Sequence, residues 1–400
     1  MQVHRTIIDV IDESNEYWVW IDQFIVGTVE RMTALAEHSV EMPADLHADR
    51  TPERNLRRPV KPAAERPDDD HTRPPSIADV LDARRLLAAH LDETPVRTYP
   101  ALDAAVHDAG ATDIALTIKH ENLQPTGAFK VRGALNLLLR STDAERARGV
   151  VAYSTGNHAQ AVAYAARATG TACTIVMPQD PNPAKAQAVR ELGAELVLHG
   201  TTFDDAATHA THLAETTGAR LVGAAGDTRI LAGVATAYLD LLTAAPDLDV
   251  LVVPVGGGSG AAGACTAAAA VAPGCEIIAV QSEASPSAHA SWRTGTIQRL
   301  PNTSRAEGLA TGTGFPLTQH VMRTHLTDFR TVTDQQIRHA QWTLLTTART
   351  VAEGAGAAAL AAVLADPARF AGRRVGIAVT GGNASPDELR EVVALATTAR

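Results

Sequence analysis

The chain has 400 residues, a formal net charge of -10 at pH 7 and 4% aromatic residues. This length allows two or three domain-sized units with an ample core. The acidic balance argues against a nucleic-acid footprint and against attraction to an anionic membrane. The cysteines Cys173, Cys265 and Cys275 form no CxxC pair and no even-numbered disulfide framework. Since the N-terminus also lacks a secretory signal pattern, the sequence predicts a cytoplasmic protein.

The first 75 residues differ from the rest of the chain. Apolar residues between Trp18 and Val29 recur at helical spacing, which predicts a helix within residues 1–40. This stretch is too short and too polar to span a bilayer. Residues 41–75 are rich in Pro and charged side chains and cannot bury enough apolar surface to hold one conformation. We therefore predict an N-terminal extension over residues 1–75, first helical and then linker-like.

From Ser76 onward, short β-type runs alternate with helical runs. Two predicted helices, 159–169 and 183–192, each end at a glycine, as helices with a left-handed C-terminal residue do. Thr333 and Gln336 form a capping box at the start of another. The alternation predicts an α/β fold with parallel sheets covered by helices on both faces. The strand candidates are Val150–Tyr153, Cys173–Met177, Glu195–Leu198, Arg220–Val222, Asp249–Val255, Glu276–Gln281, Phe329–Val332 and Arg374–Val379.

Lys130 lies at the first turn of a predicted helix, residues 129–140, directly after the Thr126-Gly127 break. The N-terminus of a helix carries partial positive charge and disfavours an ammonium group. A neutral amine or an imine suits this position better, and a neutral amine can attack a carbonyl. Taken alone, a lysine at such a position is far more often a solvated residue on a helix face, and only the neighbouring segments favour a chemical role.

Four further segments could carry chemistry, although each alone could be structural. Residues 154–158, Ser-Thr-Gly-Asn-His, follow a strand and begin a helix, where N–H groups and hydroxyls can hold a carboxylate. The glycines 256–258 leave backbone N–H groups free to wrap a phosphate. Residues 380–383, Thr-Gly-Gly-Asn, follow the last strand, where a side chain faces the ligand crevice of an open α/β sheet. Glu353 at the head of a helix suits the helix dipole.

The glycine-rich segment also permits a different interpretation. Gly258, Gly260 and Gly263 match G-x-G-x-x-G, and Glu283 follows about 20 residues on at a strand end, which is the dinucleotide-binding fingerprint. By itself this motif predicts a nicotinamide cofactor. Such a site, however, would give no role to Lys130.

Together, the segments describe a pocket for pyridoxal phosphate, in which the lysine forms an imine and the glycines hold the phosphate. From about residue 76 to its end, the chain resembles the fold-type II pyridoxal-phosphate enzymes. Within them it is most similar to the threonine/serine ammonia-lyases (threonine dehydratases), which are relatives of serine racemase. The resemblance rests on five motifs in the family's order, namely Glu121–Lys130, Ser154–Gln160, Pro254–Gly260, Glu353–Ala358 and Thr380–Asn383.

The resemblance implies a two-lobed fold similar to the β subunit of tryptophan synthase, with the cofactor in the cleft. The large lobe is then formed by residues 76–149 and 231–400, and the small lobe by residues 150–230. It also implies a small amino-acid substrate and a homodimer or homotetramer.

The resemblance implies a role for each site residue. Lys130 forms the imine and later acts as the base at the substrate Cα, and Phe129 packs beside the cofactor. Asn157 hydrogen-bonds the ring oxygen, and Thr380 hydrogen-bonds the pyridine nitrogen. The implied substrate-carboxylate site is Ser154, Thr155 and the backbone around His158, and the implied phosphate site is Gly256, Gly257, Gly258, Ser259 and Gly260.

The chain departs from the family pattern at several positions. Ser259 replaces a fourth glycine, and Thr380 replaces a serine but keeps the hydroxyl. Thr155 stands where serine racemase-like enzymes place a second serine base, so racemisation stays open. Gln281 stands where the family's divalent-metal site has a glutamate, so no metal is predicted. Since one helix remains after Asn383, we expect neither a C-terminal regulatory domain nor isoleucine feedback.

The sequence therefore predicts an ammonia-lyase that acts on L-threonine, L-serine or a related β-hydroxy amino acid by β-elimination. A hydroxyl at Thr380 cannot protonate the ring as a carboxylic acid could, which favours elimination over chemistry that needs a long-lived carbanion. The alternatives are a racemase or β-replacement enzyme on the same cofactor, a nicotinamide-dependent oxidoreductase and a non-catalytic binding protein. Residues 307–315 are the expected substrate-facing loop.

Overall fold

The computed structural model describes residues 72–398, with side chains described up to residue 395. The predicted N-terminal helix and nearly all of the predicted linker therefore lie outside the described residues. Within the described residues, the first helix begins directly after Ser76. The Ser76 side chain accepts a hydrogen bond from the Asp79 backbone, and the Asp79 side chain accepts one from the Ser76 backbone, which forms a capping box.

The described strands form two sheets, and helices lie between the strands in sequence. The strands are β1 (Val96–Thr98), β2 (Ala115–Lys119), β3 (Val150–Tyr153), β4 (Cys173–Met177), β5 (Glu195–Leu198), β6 (Arg220–Leu221), β7 (Val250–Pro254), β8 (Glu276–Ser282), β9 (Asp328–Val332) and β10 (Arg374–Ala378). The helices are α1 (Ile77–Leu87), α2 (Pro100–Asp108), α3 (Lys130–Leu139), α4 (Asp143–Ala147), α5 (Asn157–Thr169), α6 (Pro183–Glu191), α7 (Phe203–Thr217), α8 (Thr228–Ala244), α9 (Ser259–Val271), α10 (Ser287–Thr294), α11 (Pro316–His325), α12 (Asp334–Thr347), α13 (Gly354–Ala365) and α14 (Pro386–Thr398). This arrangement confirms the predicted α/β class.

The larger sheet has six strands in the order β1-β2-β10-β7-β8-β9, and the smaller sheet has four in the order β5-β4-β3-β6. All described pairs are parallel except one, because β1 pairs antiparallel with β2, with Val96 opposite Lys119. Antiparallel edge strands are common on otherwise parallel sheets. The sequence candidates included neither β1 nor β2. A strand of three residues is too short to show a period, which explains the first omission.

Both sheets are covered on each face by apolar side chains. Strand β7 is buried at every residue, as expected for a strand in the middle of a parallel sheet. Two clusters of buried residues flank the larger sheet, one with α12 and α13 and the other with α8 and α9. Two further clusters flank the smaller sheet, with α5 on one face and α7 on the other. Within residues 72–398, no helix is both long and apolar enough to cross a membrane.

A close helix crossing positions the first turn of α3. A Cβ atom added at Gly233 of α8 would lie 2.5 Å from the carbonyl oxygen of Arg132. One added at Gly133 of α3 would lie 2.9 Å from the carbonyl oxygen of Ile230. Real Cβ atoms do not approach so closely, so the two glycines allow the backbones to touch. The contact fixes the helix that begins with Lys130.

The central strands β2, β10 and β7 are neighbours and parallel. Their carboxyl ends therefore lie at one edge of the sheet, which is where open α/β sheets bind ligands. The segments that follow these strands contain Lys130, Thr380 and Gly256, respectively. The topology thus brings together residues that are far apart in sequence.

Candidate active site

Lys130 is the first residue of α3, and its amine faces the glycine-rich loop. Lys130 Nζ donates a hydrogen bond to Ser259 Oγ at 2.8 Å and lies 5.1 Å from the centre of the Phe129 ring. Among residues 72–398, no carboxylate lies within ion-pair distance of this amine. Burial lowers the pKa of Lys130 to about 8, because a low-dielectric surrounding disfavours the charged form. A neutral, nucleophilic amine is thus accessible near physiological pH.

The glycine-rich loop connects β7 to α9, and its shape depends on missing side chains. A Cβ atom at Gly256 would clash with the carbonyl oxygen of Gly308. Gly258, which precedes α9, has φ 87°, a left-handed conformation that favours glycine. The first N–H groups of a helix have no intrahelical partner and face an approaching anion. The loop and the start of α9 can therefore hold a phosphate beside Lys130.

The loop after β3 begins α5 on the smaller sheet. Ser154 Oγ accepts a hydrogen bond from the Gly156 backbone at 3.2 Å, and no side chain caps the helix at Gly156. The His158 ring is buried, with Nε2 2.9 Å from the Val222 carbonyl oxygen. Burial lowers the pKa of His158 to about 4, so the ring is neutral. Because Nε2 faces the Val222 carbonyl, the group that His158 offers to a ligand at the helix start is its backbone N–H.

Asn157 is held in a chain of three side chains. Its Nδ2 donates to Glu353 Oε1 at 2.5 Å, and its Oδ1 accepts from Asn383 Nδ2 at 2.8 Å. Asn383 Nδ2 also donates to the Thr126 carbonyl oxygen at 2.8 Å. The first residue of α5 is therefore tied to the segments that follow β2 and β10.

Thr380 is buried at 4% exposure beyond the carboxyl end of β10. Its carbonyl oxygen accepts a hydrogen bond from the Phe129 backbone at 2.9 Å. Ala128 and Gly381 form an antiparallel bridge alongside it. The segment before Lys130 and the segment after β10 are therefore paired, which keeps the lysine and the Thr380 side chain on one wall of the cleft.

The structure shows an ion pair at this cleft that sequence reasoning missed. Lys185, near the start of α6, pairs with Glu307 Oε2, and their side chains are 14% and 54% exposed. A Cβ atom at Gly156 would lie 3.8 Å from the same Glu307 oxygen. The pair thus joins the smaller-sheet side to the expected substrate-facing loop. Residues 122 positions apart show no periodicity or local motif that would have linked them.

Residues 87–381 match the family described as pyridoxal-phosphate dependent enzyme. The chain belongs to this family. The match covers all five predicted motif segments except the last two residues of the final one. It confirms pyridoxal phosphate as the cofactor, and it confirms the predicted family resemblance.

Similar proteins within the family include two curated relatives. An L-threonine ammonia-lyase from Thermotoga maritima is 37% identical over 319 residues, which are 80% of this chain and 78% of that protein. An L-threo-3-hydroxyaspartate ammonia-lyase from Pseudomonas sp is 38% identical over 309 residues, which are 77% of this chain and 95% of that protein.

The fold is also that of solved structures. Maize serine racemase matches with a TM-score of 0.74 and 30% identity, covering 82% of this chain and 99% of the racemase chain. This similarity confirms the fold-type II architecture.

The site fits pyridoxal phosphate. Lys130 has a depressed pKa and a single hydroxyl partner on the glycine loop. The same loop has no room for a side chain at Gly256, because a Cβ atom there would clash with the Gly308 carbonyl oxygen. An amine for the aldehyde carbon and N–H groups for the phosphate are two of the contacts by which a protein holds this cofactor.

The nicotinamide interpretation loses its support from the same glycines. A Cβ atom at Gly263 would lie 2.9 Å from Ala235 Cα of α8, so this glycine serves the packing of α8 on α9. Gly258 takes the left-handed conformation that turns the glycine-rich loop into α9. The G-x-G-x-x-G spacing is therefore explained without a dinucleotide.

The position expected for a divalent metal is occupied by a buried amide. Gln281 Oε1 accepts a hydrogen bond from the His289 backbone at 3.0 Å. In the part of the chain that the structure describes, no three His, Cys, Asp or Glu side chains are grouped as metal ligands.

Proposed function

We propose that this chain is a pyridoxal-phosphate-dependent ammonia-lyase that converts L-threonine, L-serine or a related β-hydroxy amino acid to a 2-oxo acid and ammonia. The observation that carries the proposal is the 2.8 Å contact between Lys130 Nζ and Ser259 Oγ. It sets the amine at the phosphate loop without a carboxylate that would hold it charged. The names of the two ammonia-lyase relatives support elimination of a β-hydroxyl.

Each cofactor group has a proposed partner in the chain. Backbone N–H groups of residues 256–260 bind the phosphate, and Phe129 packs beside the ring. Asn157 donates to the ring oxygen, and Thr380 contacts the pyridine nitrogen. When bound, the cofactor supplies an electrophilic carbon for amines and an electron-withdrawing ring that acidifies the substrate Cα–H bond.

The substrate is held by the other wall of the cleft. Ser154, Thr155 and the backbone N–H of His158 bind its carboxylate at the start of α5. Lys130 then takes the Cα proton as a positioned general base, which its lowered pKa of about 8 favours. The β-hydroxyl leaves as water after taking up a proton, which the protonated Lys130 can supply, and the released enamine tautomerises to an imine that a water molecule hydrolyses to the 2-oxo acid and ammonia.

We further propose that residues 76–149 and 231–400 form the large lobe and residues 150–230 the small lobe. The four-stranded sheet, whose strands lie between Val150 and Leu221, supports this division. We propose that the protein forms a homodimer or homotetramer. We also propose a cytoplasmic location, which the free thiols of Cys173, Cys265 and Cys275 support. Light scattering of the purified protein tests the oligomeric state.

The activity is tested with the purified protein loaded with pyridoxal phosphate. L-threonine, L-serine, L-threo-3-hydroxyaspartate and their enantiomers are supplied in turn, and 2-oxo acid and ammonia are quantified. We expect equal amounts of both products from at least one L-substrate. Borohydride reduction followed by peptide mass spectrometry should place the cofactor on Lys130. A protein that acquires no borohydride-sensitive visible band would sink the proposal.

A racemase is the second candidate, supported by Thr155 and by the similarity to maize serine racemase. Chiral analysis of the recovered amino acid distinguishes the two reactions. Appearance of the other enantiomer without 2-oxo acid identifies a racemase. Consumption of substrate only when an added nucleophile is present identifies β-replacement.

A further inference from the structure

Glu353 stands immediately before α13, but its side chain does not serve that helix. No side-chain hydrogen bond from Glu353 caps α13. The first N–H of the helix, on Gly354, instead donates to Glu388 Oε1 at 2.7 Å. The negative charge that the helix N-terminus favours therefore comes from Glu388, and the Glu353 carboxyl is available for another role.

The Glu353 carboxyl is directed into the site through space left by glycines. A Cβ atom at Gly381 would clash with Glu353 Oε1, and one at Gly308 would lie 3.9 Å from it. Gly308 belongs to the expected substrate-facing loop, and Gly381 follows Thr380. The carboxyl is thus surrounded by the segments that form the cleft.

The contact with Asn157 determines which way the Asn157 amide points. Asn383 Nδ2 donates to the Asn157 oxygen at 2.8 Å, and Glu353 Oε1 accepts from the Asn157 nitrogen at 2.5 Å. A flipped amide would set its nitrogen against the Asn383 nitrogen and its oxygen against the Glu353 oxygen. Both contacts would then be lost. The observed orientation uses one hydrogen of Asn157 Nδ2 and leaves the second for another acceptor.

The charges around Glu353 make its protonation state responsive near neutral pH. Burial raises the pKa of Glu353 to about 7, the Asn157 hydrogen bond and Lys185 act in the opposite direction, and Glu388 and Glu307 add to the rise. The ionised carboxylate can only accept from the Asn157 amide, whereas the protonated carboxyl can also donate to it. Ionisation therefore strengthens the preference for one amide orientation.

We propose that Glu353 is a positioning residue that orients the Asn157 amide toward the cofactor's ring oxygen. The inference rests on the proposed contact between Asn157 and pyridoxal phosphate. Glu353 itself is not assigned a contact with the reacting atoms. Its effect reaches the cofactor through Asn157, which makes the coupling between the two residues measurable.

The first test is a double-mutant cycle on cofactor affinity. Cofactor dissociation constants are measured by equilibrium dialysis for the wild type, Glu353→Ala, Asn157→Ala and the double variant. Loss of a hydrogen bond to a charged group predicts about a tenfold to hundredfold weaker affinity for Glu353→Ala. On the Asn157→Ala background, the same substitution should have an effect of less than about threefold. An equal loss on both backgrounds would overturn the proposal.

Glu353→Gln separates positioning from folding. The glutamine carbonyl can accept from Asn157, so we expect most of the cofactor affinity to return. Glutamine cannot ionise, so a step near pH 7 in the visible spectrum of the wild-type holoenzyme should vanish in this variant. A step that persists in Glu353→Gln contradicts the assignment to Glu353. Thermal melts of the apoproteins show whether the Glu353→Ala variant remains folded. If that variant is unfolded, the pH dependence of the Glu353→Gln spectrum tests the role of Glu353.

The two proposals fail in different ways. A wild-type protein that binds no pyridoxal phosphate defeats the proposed function. A wild type that binds the cofactor, with unchanged affinity and spectrum in both Glu353 variants, defeats only the role of Glu353.

Discussion

Lys130 and Arg132 are two residues apart on α3 but have opposite surroundings. Arg132 is buried and forms hydrogen bonds at 2.8 Å from Nε and Nη2 to the two carboxylate oxygens of Glu121. It also contacts Asp240 at 3.2 Å. Lys130 has the hydroxyl of Ser259 as its hydrogen-bond partner.

The difference shows how one helix can serve both folding and chemistry. A buried cation with two carboxylates is held charged, and it ties α3 to α8 and to the segment after β2. A cation with only a neutral partner loses its proton more easily, and burial indeed lowers the pKa of Lys130 to about 8. We therefore expect substitutions at Arg132 to change stability and substitutions at Lys130 to change activity.

The largest effect is expected for Lys130→Ala. Loss of the amine removes the covalent anchor and the general base, so turnover should fall about 10⁴-fold or more. The apoprotein should melt at or above the wild-type temperature, because a buried ammonium is removed. Steady-state assays and thermal melts measure the two quantities. Residual turnover within tenfold of the wild type would remove Lys130 from the chemistry.

Arg132→Met should instead destabilise the apoprotein by about 3–5 kcal/mol, because the fully buried Glu121 loses its ion-pair partner, whereas Asp240 keeps Arg84 and Lys119. Urea unfolding followed by circular dichroism measures this change. The matched control is Arg374→Met, since Arg374 pairs with Asp249 at a side-chain exposure of 49%. Exposed pairs contribute about 0–1 kcal/mol. Similar losses for both variants would contradict the distinction between the two regions.

Gly256→Ala tests the cofactor loop without altering charge. The new methyl group would meet the Gly308 carbonyl oxygen, and overpacking of this kind costs about 1–3 kcal/mol. We expect weaker cofactor binding, measured by dialysis, since the loop must shift. Gly274→Ala is the control, because a Cβ atom there meets nothing within 4 Å. Unchanged affinity in Gly256→Ala would show that the loop does not hold the phosphate.

The rate at which the apoprotein forms its covalent bond to the cofactor should depend on whether the Lys130 amine is protonated. Below a pH of about 8, the pKa of Lys130, the neutral fraction of the amine grows about tenfold per pH unit. Above that value the rate should level off. Stopped-flow absorbance on mixing with pyridoxal phosphate gives the profile. In Ser259→Ala the midpoint should move to lower pH, because the ammonium loses its acceptor; movement to higher pH would contradict this reasoning.

The smallest effect is expected for the pair at the cleft mouth. Lys185 and Glu307 are partly exposed, so Lys185→Met should change stability by less than about 1 kcal/mol. Because the pair joins the two walls of the cleft, we expect KM to rise a few-fold with little change in kcat. Glu307→Gln should have a similar effect. The matched control is Asp387→Asn, which removes an exposed pair with Arg390 and should leave KM unchanged.

Much of the fold was predictable because its signals are local. The glycines at 170 and 193 have φ values of 66° and 84° and end α5 and α6 as predicted, and Thr333 and Gln336 form the predicted capping box. Strands β3 to β5 match their predicted bounds. Strand β1 is too short to show a period, and its antiparallel direction depends on the sheet edge that it joins.

Site residues could be predicted from the sequence only where the residue types within one short segment indicate a chemical role. Lys130 and residues 256–260 are candidates because of a lysine at a helix N-terminus and a run of glycines, both of which are visible in the sequence. The sequence leaves Glu353 open between a structural role at the helix dipole and a role in the site, and the structure shows that the Gly354 N–H donates to Glu388 instead. The sequence does not show which of the two carboxylates contacts the start of α13, because Glu353 and Glu388 both suit a helix N-terminus.

Residue type and short spacing were therefore enough to predict the cofactor family and the alternation of strands and helices, and to single out Lys130 as the candidate lysine. The tertiary structure alone decided which charges are paired. Asn157 and Glu353 are 196 positions apart, and Arg132 and Asp240 are 108 apart. Such contacts form because parallel strands bring their carboxyl ends to one edge and glycines let two helices touch. Local sequence patterns do not reveal such contacts between residues that are far apart in the chain.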